Sequence, residues 1–194
     1  MAVNFRKSLI VPSIAAVLAS GLTAGALAEG DADENRGKPK LPTVNHEVFS
    51  KFAGEWKGQG VLLTSATADK ETVRCRLNST VIFDGRFLYQ DGTCSAVGRT
   101  VSFLTTLGYD RIAEHYAGTW INSINVDIST MKGTREETNL TFTLVHDDDD
   151  GGKKIESTMT MTWVDDDQYR LVMSSPDPKT GDVYERSNVV FKRK

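Results

Sequence analysis

The sequence predicts an all-β fold, an antiparallel up-and-down barrel of about ten strands with a short N-terminal helix. After Gly54 the chain consists of short runs that alternate apolar and polar residues. Turns rich in glycine, aspartate and proline separate these runs at hairpin spacing, with no helical crossover between them. Successive strands with short connections pair antiparallel, and closing the sheet into a barrel removes its two edges.

The predicted strands follow the alternation. They are residues 55–64, 71–83, 86–96, 100–109, 113–121, 125–131, 139–146, 154–164, 168–174 and 182–192, with a turn at Lys132-Gly133 among those that separate them. The clearest strand places Met159, Met161 and Trp163 on one face and the intervening threonines on the other. We expect the apolar set to face inward, because a shift of one residue would expose the larger apolar area.

A hairpin centred on Asp84-Gly85 is predicted to carry a disulfide. Both residues tolerate the positive φ values of a type I′ turn, so Phe83 would face Arg86. Cys75 lies eight residues before Phe83, and Cys94 lies eight residues after Arg86. The two cysteines would therefore face each other with Cα atoms about 4.5–5.5 Å apart, a separation that suits a disulfide. The alternative is two free thiols or a metal-binding pair, but no second cysteine pair or nearby histidine completes a zinc site.

The first 28 residues have the order of a cleavable secretory signal peptide. A positively charged start precedes an apolar run from Leu9 to Leu18 and an A-x-A site at Ala26–Ala28. The apolar run is short for a membrane span, which needs roughly 20 residues; an uncleaved anchor is the alternative. We therefore expect an exported protein, periplasmic or secreted, in a compartment that favours disulfides.

The mature chain is divided into a linker and one domain. Residues 29–42 are polar and charged and contain Gly37, Pro39 and Pro42, which predicts a flexible linker. Residues 43–194 form the predicted barrel domain. At its start, Val48, Phe49 and Phe52 have the spacing of a short amphipathic helix, with Thr43 or Asn45 as the N-cap. We expect this helix to cover one end of the barrel.

The net negative charge of the chain argues against nucleic acid as a partner. Cleavage removes two positive charges and no negative ones, so the formal net charge of −3 becomes about −5. A mildly acidic domain lacks the basic stripe that nucleic-acid binding requires. No segment after the signal peptide approaches the length of a membrane span, and the sequence does not predict an oligomeric state.

Two resemblances make the barrel prediction more specific. The segment Gly54-Glu55-Trp56-Lys57-Gly58-Gln59-Gly60 resembles the G-x-W opening of calycin barrels, which include lipocalins and fatty-acid-binding proteins and in which the Trp closes one end. The region from Val48 to Lys194 also resembles the bacterial family of domain of unknown function 1579. That resemblance rests on an ordered set of short matches: Gly85-Arg86-Phe87-Leu88, Leu107-Gly108-Tyr109-Asp110, Tyr116, Trp120, Ser123 and Gly133. It implies a calycin-like barrel and no particular activity.

Two positions bear on what the resemblance implies. The chain has Asn122 where the family commonly has Asp, so a role that needs a carboxylate there is not expected. The related nitrobindin-like barrels share the G-x-W-x-G-x-G opening and bind haem through a His near the C-terminus. This sequence has no His after His146, so haem ligation of that kind is not expected, and we predict no cofactor.

The sequence predicts no catalytic or metal-binding residues. His46, His115 and His146 are interpreted as structural or solvent-facing, and there is no G-x-S-x-G elbow. The run Asp147 to Asp150 lacks the spacing of a calcium-binding loop and is better explained as a hairpin tip. Arg74 and Arg76 share a polar face, which lies in solvent or forms an anion clamp inside the barrel.

A barrel of about ten strands has room for a ligand, because one of eight strands is just filled by its side chains or holds one small molecule. Aromatic residues and methionines on the strands supply the candidate wall: Tyr89, Phe103, Tyr109, Tyr116, Trp120, Met159, Met161 and Trp163. At the closed end, Trp56 should pack beside a basic residue of the last strand, either Lys192 or Arg193.

Three functions are compatible with the sequence. The first is binding of a small, largely apolar molecule inside the barrel. The second is an envelope interaction or assembly protein whose barrel is filled by side chains. The third is an enzyme with its site in the barrel mouth, for which the sequence offers no visible nucleophile and base pair.

Overall fold

The alternating strands close into one barrel. The computed structural model describes residues 40–147, 152–177 and 179–194. Ten antiparallel strands pair with their neighbours in sequence, and the last strand pairs with the first. The elements are α1 (Val48–Phe52), β1 (Gly54–Leu62), β2 (Glu71–Ile82), β3 (Phe87–Ala96), β4 (Arg99–Asp110), β5 (His115–Asn122), β6 (Ser129–Glu136), β7 (Asn139–Asp147), β8 (Lys154–Asp165), β9 (Gln168–Pro176) and β10 (Val183–Arg193). The predicted fold class is confirmed.

The N-terminal predictions concern another part of the chain. The signal peptide over 1–28 and nearly all of the linker over 29–42 lie outside the described residues, as do residues 148–150 of the acidic run. Within the described ranges, no helix combines the length and the apolar character needed to cross a bilayer.

Period-two alternation sets which side chains face the interior. Along β2, the side chains of Val73, Cys75 and Leu77 are buried, whereas Arg74 and Arg76 are exposed on the outer face. The alternative in which these arginines form an anion clamp inside the barrel is therefore wrong. In β8, Met159 and Met161 are buried and the threonines between them face outward, as the larger apolar area of the inner set requires.

The hairpin between β2 and β3 has the predicted register. Its last pair is Ile82 with Phe87, and Asp84 and Gly85 have φ values of 55° and 92°, as in a type I′ turn. Cys75 faces Cys94 with their Cα atoms 4.1 Å apart, and the two form a disulfide. This disulfide joins the neighbouring strands β2 and β3, and both cysteines lie on the inner face of the barrel.

The longest connections lie together at one end of the barrel. Tight turns at 83–86, 111–114, 137–138 and 166–167 lie at the end where β1 begins, and α1 covers this closed end. The connections at the opposite end include the longer segments 63–70, 123–128 and 177–182. The fold is therefore a cup whose mouth is bordered by its longest loops.

An aromatic cluster fills the closed end. Phe52 of α1 packs edge-on against Trp163 and Tyr169, with ring centroids 5.3 and 5.2 Å apart. Trp56 is 1% exposed and its indole Nε1 donates a hydrogen bond to the Phe52 carbonyl at 2.9 Å. Helix and barrel are therefore joined by both packing and a buried hydrogen bond.

The basic residue over Trp56 is Arg193. Its guanidinium lies 4.2 Å from the indole centroid and donates hydrogen bonds to the carbonyls of Lys51, Ala53 and Asp166. Lys192 pairs with Lys57 and faces outward, so it does not contact the indole. The alternation along β10 explains the choice between the two candidates.

Two local predictions are wrong. The helix begins at Val48, after a turn, and neither Thr43 nor Asn45 caps it; Glu47 occupies the N-cap without a side-chain hydrogen bond. Lys132-Gly133 is not a turn but lies inside β6. A Cβ atom on Gly133 would lie 2.3 Å from the Thr141 carbonyl oxygen, so this glycine permits close approach of the neighbouring strand.

Candidate functional site

The open half of the barrel contains a cavity of about 780 Å³. This volume falls within the ~300–1,000 Å³ of small-molecule sites. Its rim is formed by residues of the open end, including Thr64, Arg99, Asn125 and Arg186. Its floor is formed by Tyr169 and by its neighbours in the core. The cavity is therefore reached from the mouth and ends at the aromatic cluster.

The cavity wall is largely apolar and rich in thioethers. All four methionines of the described residues, Met131, Met159, Met161 and Met173, line it. Met159 and Met173 face each other directly across β8 and β9. Because methionine is unbranched and polarisable, such a wall repacks around guests of different shape.

The floor of the cavity is aromatic and closely packed. Tyr169 is fully buried and stacks on Phe191, with ring centroids 4.9 Å apart and planes 10° from parallel. Its hydroxyl is buried with no hydrogen-bond partner among the described residues, and burial raises the pKa of this phenol. The phenol is therefore neutral at physiological pH.

The predicted wall residues divide between the two halves of the barrel. Phe103, Trp120, Met159 and Met161 line the cavity. Three others belong to the closed end: Tyr109, Tyr116 and Trp163. Each lies near a strand end beneath α1, and alternation does not indicate how far along the barrel a side chain lies.

Tyr89 is on the wrong face for a wall residue. Its neighbours Leu88 and Gln90 point inward and are buried, so the Tyr89 side chain points outward. Gln90 is the inward polar residue of this strand, and its Nε2 donates to Ser79 Oγ at 2.9 Å. The sequence analysis chose Tyr89 because it is aromatic and did not recognise that the even-numbered residues of this strand point inward.

Polar contacts hold His146 in the upper cavity wall. Its Nδ1–H donates to the Asp147 carbonyl at 2.8 Å, and its Nε2 forms a hydrogen bond with Ser157 Oγ at 2.9 Å. Ser157 Oγ is in turn 2.8 Å from Ser175 Oγ. Both ring nitrogens are therefore occupied, which suits a structural group better than a general base.

The other two histidines lie away from the cavity. His46 is buried beneath the turn that precedes α1, and its Nδ1 accepts the Thr43 N–H at 3.0 Å. Burial lowers the pKa of His46. His115 is half-buried at a strand end, where its Nδ1–H donates to the Ala113 carbonyl at 3.1 Å. Within the described ranges, no group of three His, Cys, Asp or Glu side chains could hold a metal ion.

Asn122 organises the mouth loop 123–128. Its Oδ1 accepts the N–H groups of Ile124 at 2.8 Å and Asn125 at 2.9 Å. A carboxylate at this position could accept the same two bonds, so the observed contacts do not require an acid. The loop presents Ile124 and Val126 beside the cavity, both exposed to solvent.

A buried carboxylate joins two other mouth loops. Asp177 is 6% exposed; its carboxylate accepts the N–H groups of Ala66 at 3.0 Å, Lys179 at 2.9 Å and Thr180 at 3.3 Å. The Ala66 bond crosses from the 177–182 loop to the 63–70 loop. These bonds lower the pKa of Asp177, with the Ala66 bond the largest contributor.

We expect Asp177→Ala to lower the melting temperature at pH 7, and we expect this deficit to shrink in acid. A depressed folded-state pKa contributes stability above the unfolded value of about 3.9, and this contribution is lost as pH falls through the folded value. Thermal melts of both proteins at pH 7, 5 and 3 measure the deficit.

Asp182→Ala is the matched control in the same loop, because the Asp182 carboxylate accepts no hydrogen bond from a described residue. Its deficit should be small and should stay constant with pH. A deficit for Asp177→Ala that is the same at pH 7 and pH 3 would show that its carboxylate does not hold the two loops together.

Comparison with known proteins places the chain in a family. Residues 41–193 match the family described as "Protein of unknown function (DUF1579)". The chain belongs to this family. A comparison with curated proteins finds no match. This member of the DUF1579 family forms a closed ten-stranded barrel with an internal cavity.

Solved structures with a similar fold include a phycobiliprotein lyase. It is the S-type phycobiliprotein lyase CPES from Guillardia theta, with a TM-score of 0.53 and 13% sequence identity. The similarity covers 78% of this DUF1579 chain and 93% of the lyase chain. At this identity the likeness concerns the fold, which agrees with the predicted calycin-like barrel.

Proposed function

We propose that this protein binds a small, largely apolar molecule inside its barrel. The observation that carries the proposal is the cavity of about 780 Å³, whose wall combines apolar strand residues with four methionines. Burial of apolar ligand surface there is favourable by roughly 25 cal/mol per Å². The polar wall residues Gln90 and His146 form hydrogen bonds with other protein groups.

The filled-barrel alternative has less support. An interaction protein of that kind would use its interior only for packing, yet the described side chains leave the open half unfilled. The phycobiliprotein lyase supports the proposal, because it is a protein of similar fold whose name gives it a function. The disulfide supports the accompanying proposal that residues 1–28 direct export to the periplasm or beyond.

A neutral, environment-sensitive dye tests the cavity. We expect Nile red to bind saturably to the wild type, and we expect Met173→Trp to weaken binding by about tenfold or more, since about 1.4 kcal/mol of lost contact suffices. Met173 lines the cavity on β9, so an indole there occupies ligand space. Fluorescence titration measures the affinity, with a thermal melt to check folding.

Val172→Trp is the matched control. Val172 precedes Met173 on the same strand and faces outward, so the same added ring should leave Nile red affinity unchanged. A wild type without saturable binding would refute the proposal, as would equal affinity in the two folded variants. If the wild type binds Nile red, native mass spectrometry of protein purified from its own source will identify the retained natural ligand by mass.

A further inference from the structure

A β-bulge turns one arginine toward the cavity. The register of β10 against β9 shifts between Glu185 and Ser187, so Arg186 is an extra residue without a facing partner. Both Arg186 and Ser187 line the cavity, which an unbroken strand would not allow for adjacent residues. The Arg186 carbonyl accepts the Leu63 N–H at 2.8 Å, which fixes the bulge against the loop that follows β1.

The other charged residues that line the cavity, Arg99, Asp127 and Asp147, are already engaged. Arg99 Nη2 lies 3.3 Å from a carboxylate oxygen of Glu71. Asp127 accepts the backbone N–H of Asp147 at 2.8 Å, and the Asp147 carboxylate pairs with Lys154. These groups therefore satisfy one another within the rim.

Arg186 differs from them in having no such partner. Its side chain is half-buried and makes neither a hydrogen bond nor an ion pair with any described residue. A guanidinium offers five N–H donors in a planar fork that matches a carboxylate or phosphate. Arg186 is thus a charged donor group at the cavity wall whose bonding capacity is unused by the described side chains.

We infer that the ligand is an amphiphile whose single anionic head group is held at the mouth by Arg186. This inference rests on the proposed function and specifies its ligand class. The orientation follows from the contrast between the two ends of the cavity. The floor is built from Tyr169, Phe191 and Met161, which suit an apolar tail, whereas charged side chains occur at the rim.

Two probes that differ only in their head group test the inference. Dodecanoate and 1-dodecanol share one apolar tail, but only dodecanoate carries a negative charge at pH 8. Displacement of Nile red below the aggregation concentration of each probe gives its affinity. We expect Arg186→Gln to weaken dodecanoate binding by about tenfold, the loss of one charge-assisted contact, and to change 1-dodecanol binding by less than about twofold.

Arg74→Gln is the matched control. It removes the same charge from the outer face of β2, so it reproduces any general loss of attraction for anions. We expect it to leave both affinities at their wild-type values. Arg186→Lys, which keeps the charge and loses the planar fork, should fall between the wild type and Arg186→Gln for dodecanoate.

The outcomes separate this inference from the proposed function. If Arg186→Gln and Arg74→Gln bind dodecanoate equally well and both bind 1-dodecanol, the proposed ligand binding in the cavity is supported and the role of Arg186 is refuted. If the wild type binds neither probe nor Nile red, the proposed function fails and the head-group inference fails with it. If Arg186→Gln loses both probes equally, the residue shapes the cavity and does not select the anion.

Discussion

Trp56→Ala should lower the free energy of unfolding by about 3–5 kcal/mol, the range for removing a large buried aromatic side chain. Trp56 is 1% exposed and packs edge-on against Tyr169 with ring centroids 4.9 Å apart. The substitution also leaves the Phe52 carbonyl without its donor and Arg193 without the ring beneath it. Urea unfolding followed by far-UV circular dichroism measures the loss.

Trp120→Ala is the control for this variant. Trp120 is half-buried and borders the cavity, so its removal enlarges a space that already exists. We expect a loss of about 1–2 kcal/mol, in proportion to the smaller apolar area withdrawn from water. Equal losses in the two variants would contradict the assignment of Trp56 to a close-packed closed end and of Trp120 to an open one.

Deletion of Val189–Lys194 should abolish the cooperative transition altogether. The deleted segment contributes the buried side chains Val189 and Phe191 and pairs with both β1 and β9. Its loss reopens the barrel, leaves two strand edges unpaired and uncovers Trp56. Differential scanning calorimetry should show no cooperative melt, and tryptophan emission should shift to that of solvent-exposed indole.

Deletion of Lys194 alone is the control for the truncation. Lys194 follows the last paired residue, and its ammonium forms an exposed ion pair with Glu55, which contributes little to stability. This shorter deletion keeps every pair between β1 and β10 and should melt cooperatively near the wild-type temperature. A cooperative melt after the longer deletion would show that β10 is not needed to close the barrel.

Much of the fold could be read from local sequence because its interactions are local. Asp84-Gly85 set the register of β2 and β3, which brought Cys75 opposite Cys94. The alternation around Met159 and Met161 indicated their inward face. The errors also have a local origin. Lys132-Gly133 has the composition of a turn, but Gly133 is needed where a neighbouring strand approaches closely.

The candidate site was predicted only in part. Phe103, Trp120, Met159 and Met161 were found because they are large inward residues on clear strands. Arg186 could not be found in this way, because it owes its inward position to a bulge that breaks the alternation. The signal available in the sequence, a charged residue between Glu185 and Ser187, looks like an ordinary exposed strand residue.

The sequence by itself determined most of the strands, their antiparallel order and the face on which most side chains lie. These depend on a two-residue period and on turn residues, which are properties of neighbours along the chain. Only the tertiary structure decided how far along the barrel each inward side chain lies. Trp163 and Trp120 both belong to the inner set, yet α1 packs over the first while the second faces an open cavity. Position along the barrel depends on strand pairing around the whole closed sheet and on the docking of the helix, which no local pattern encodes.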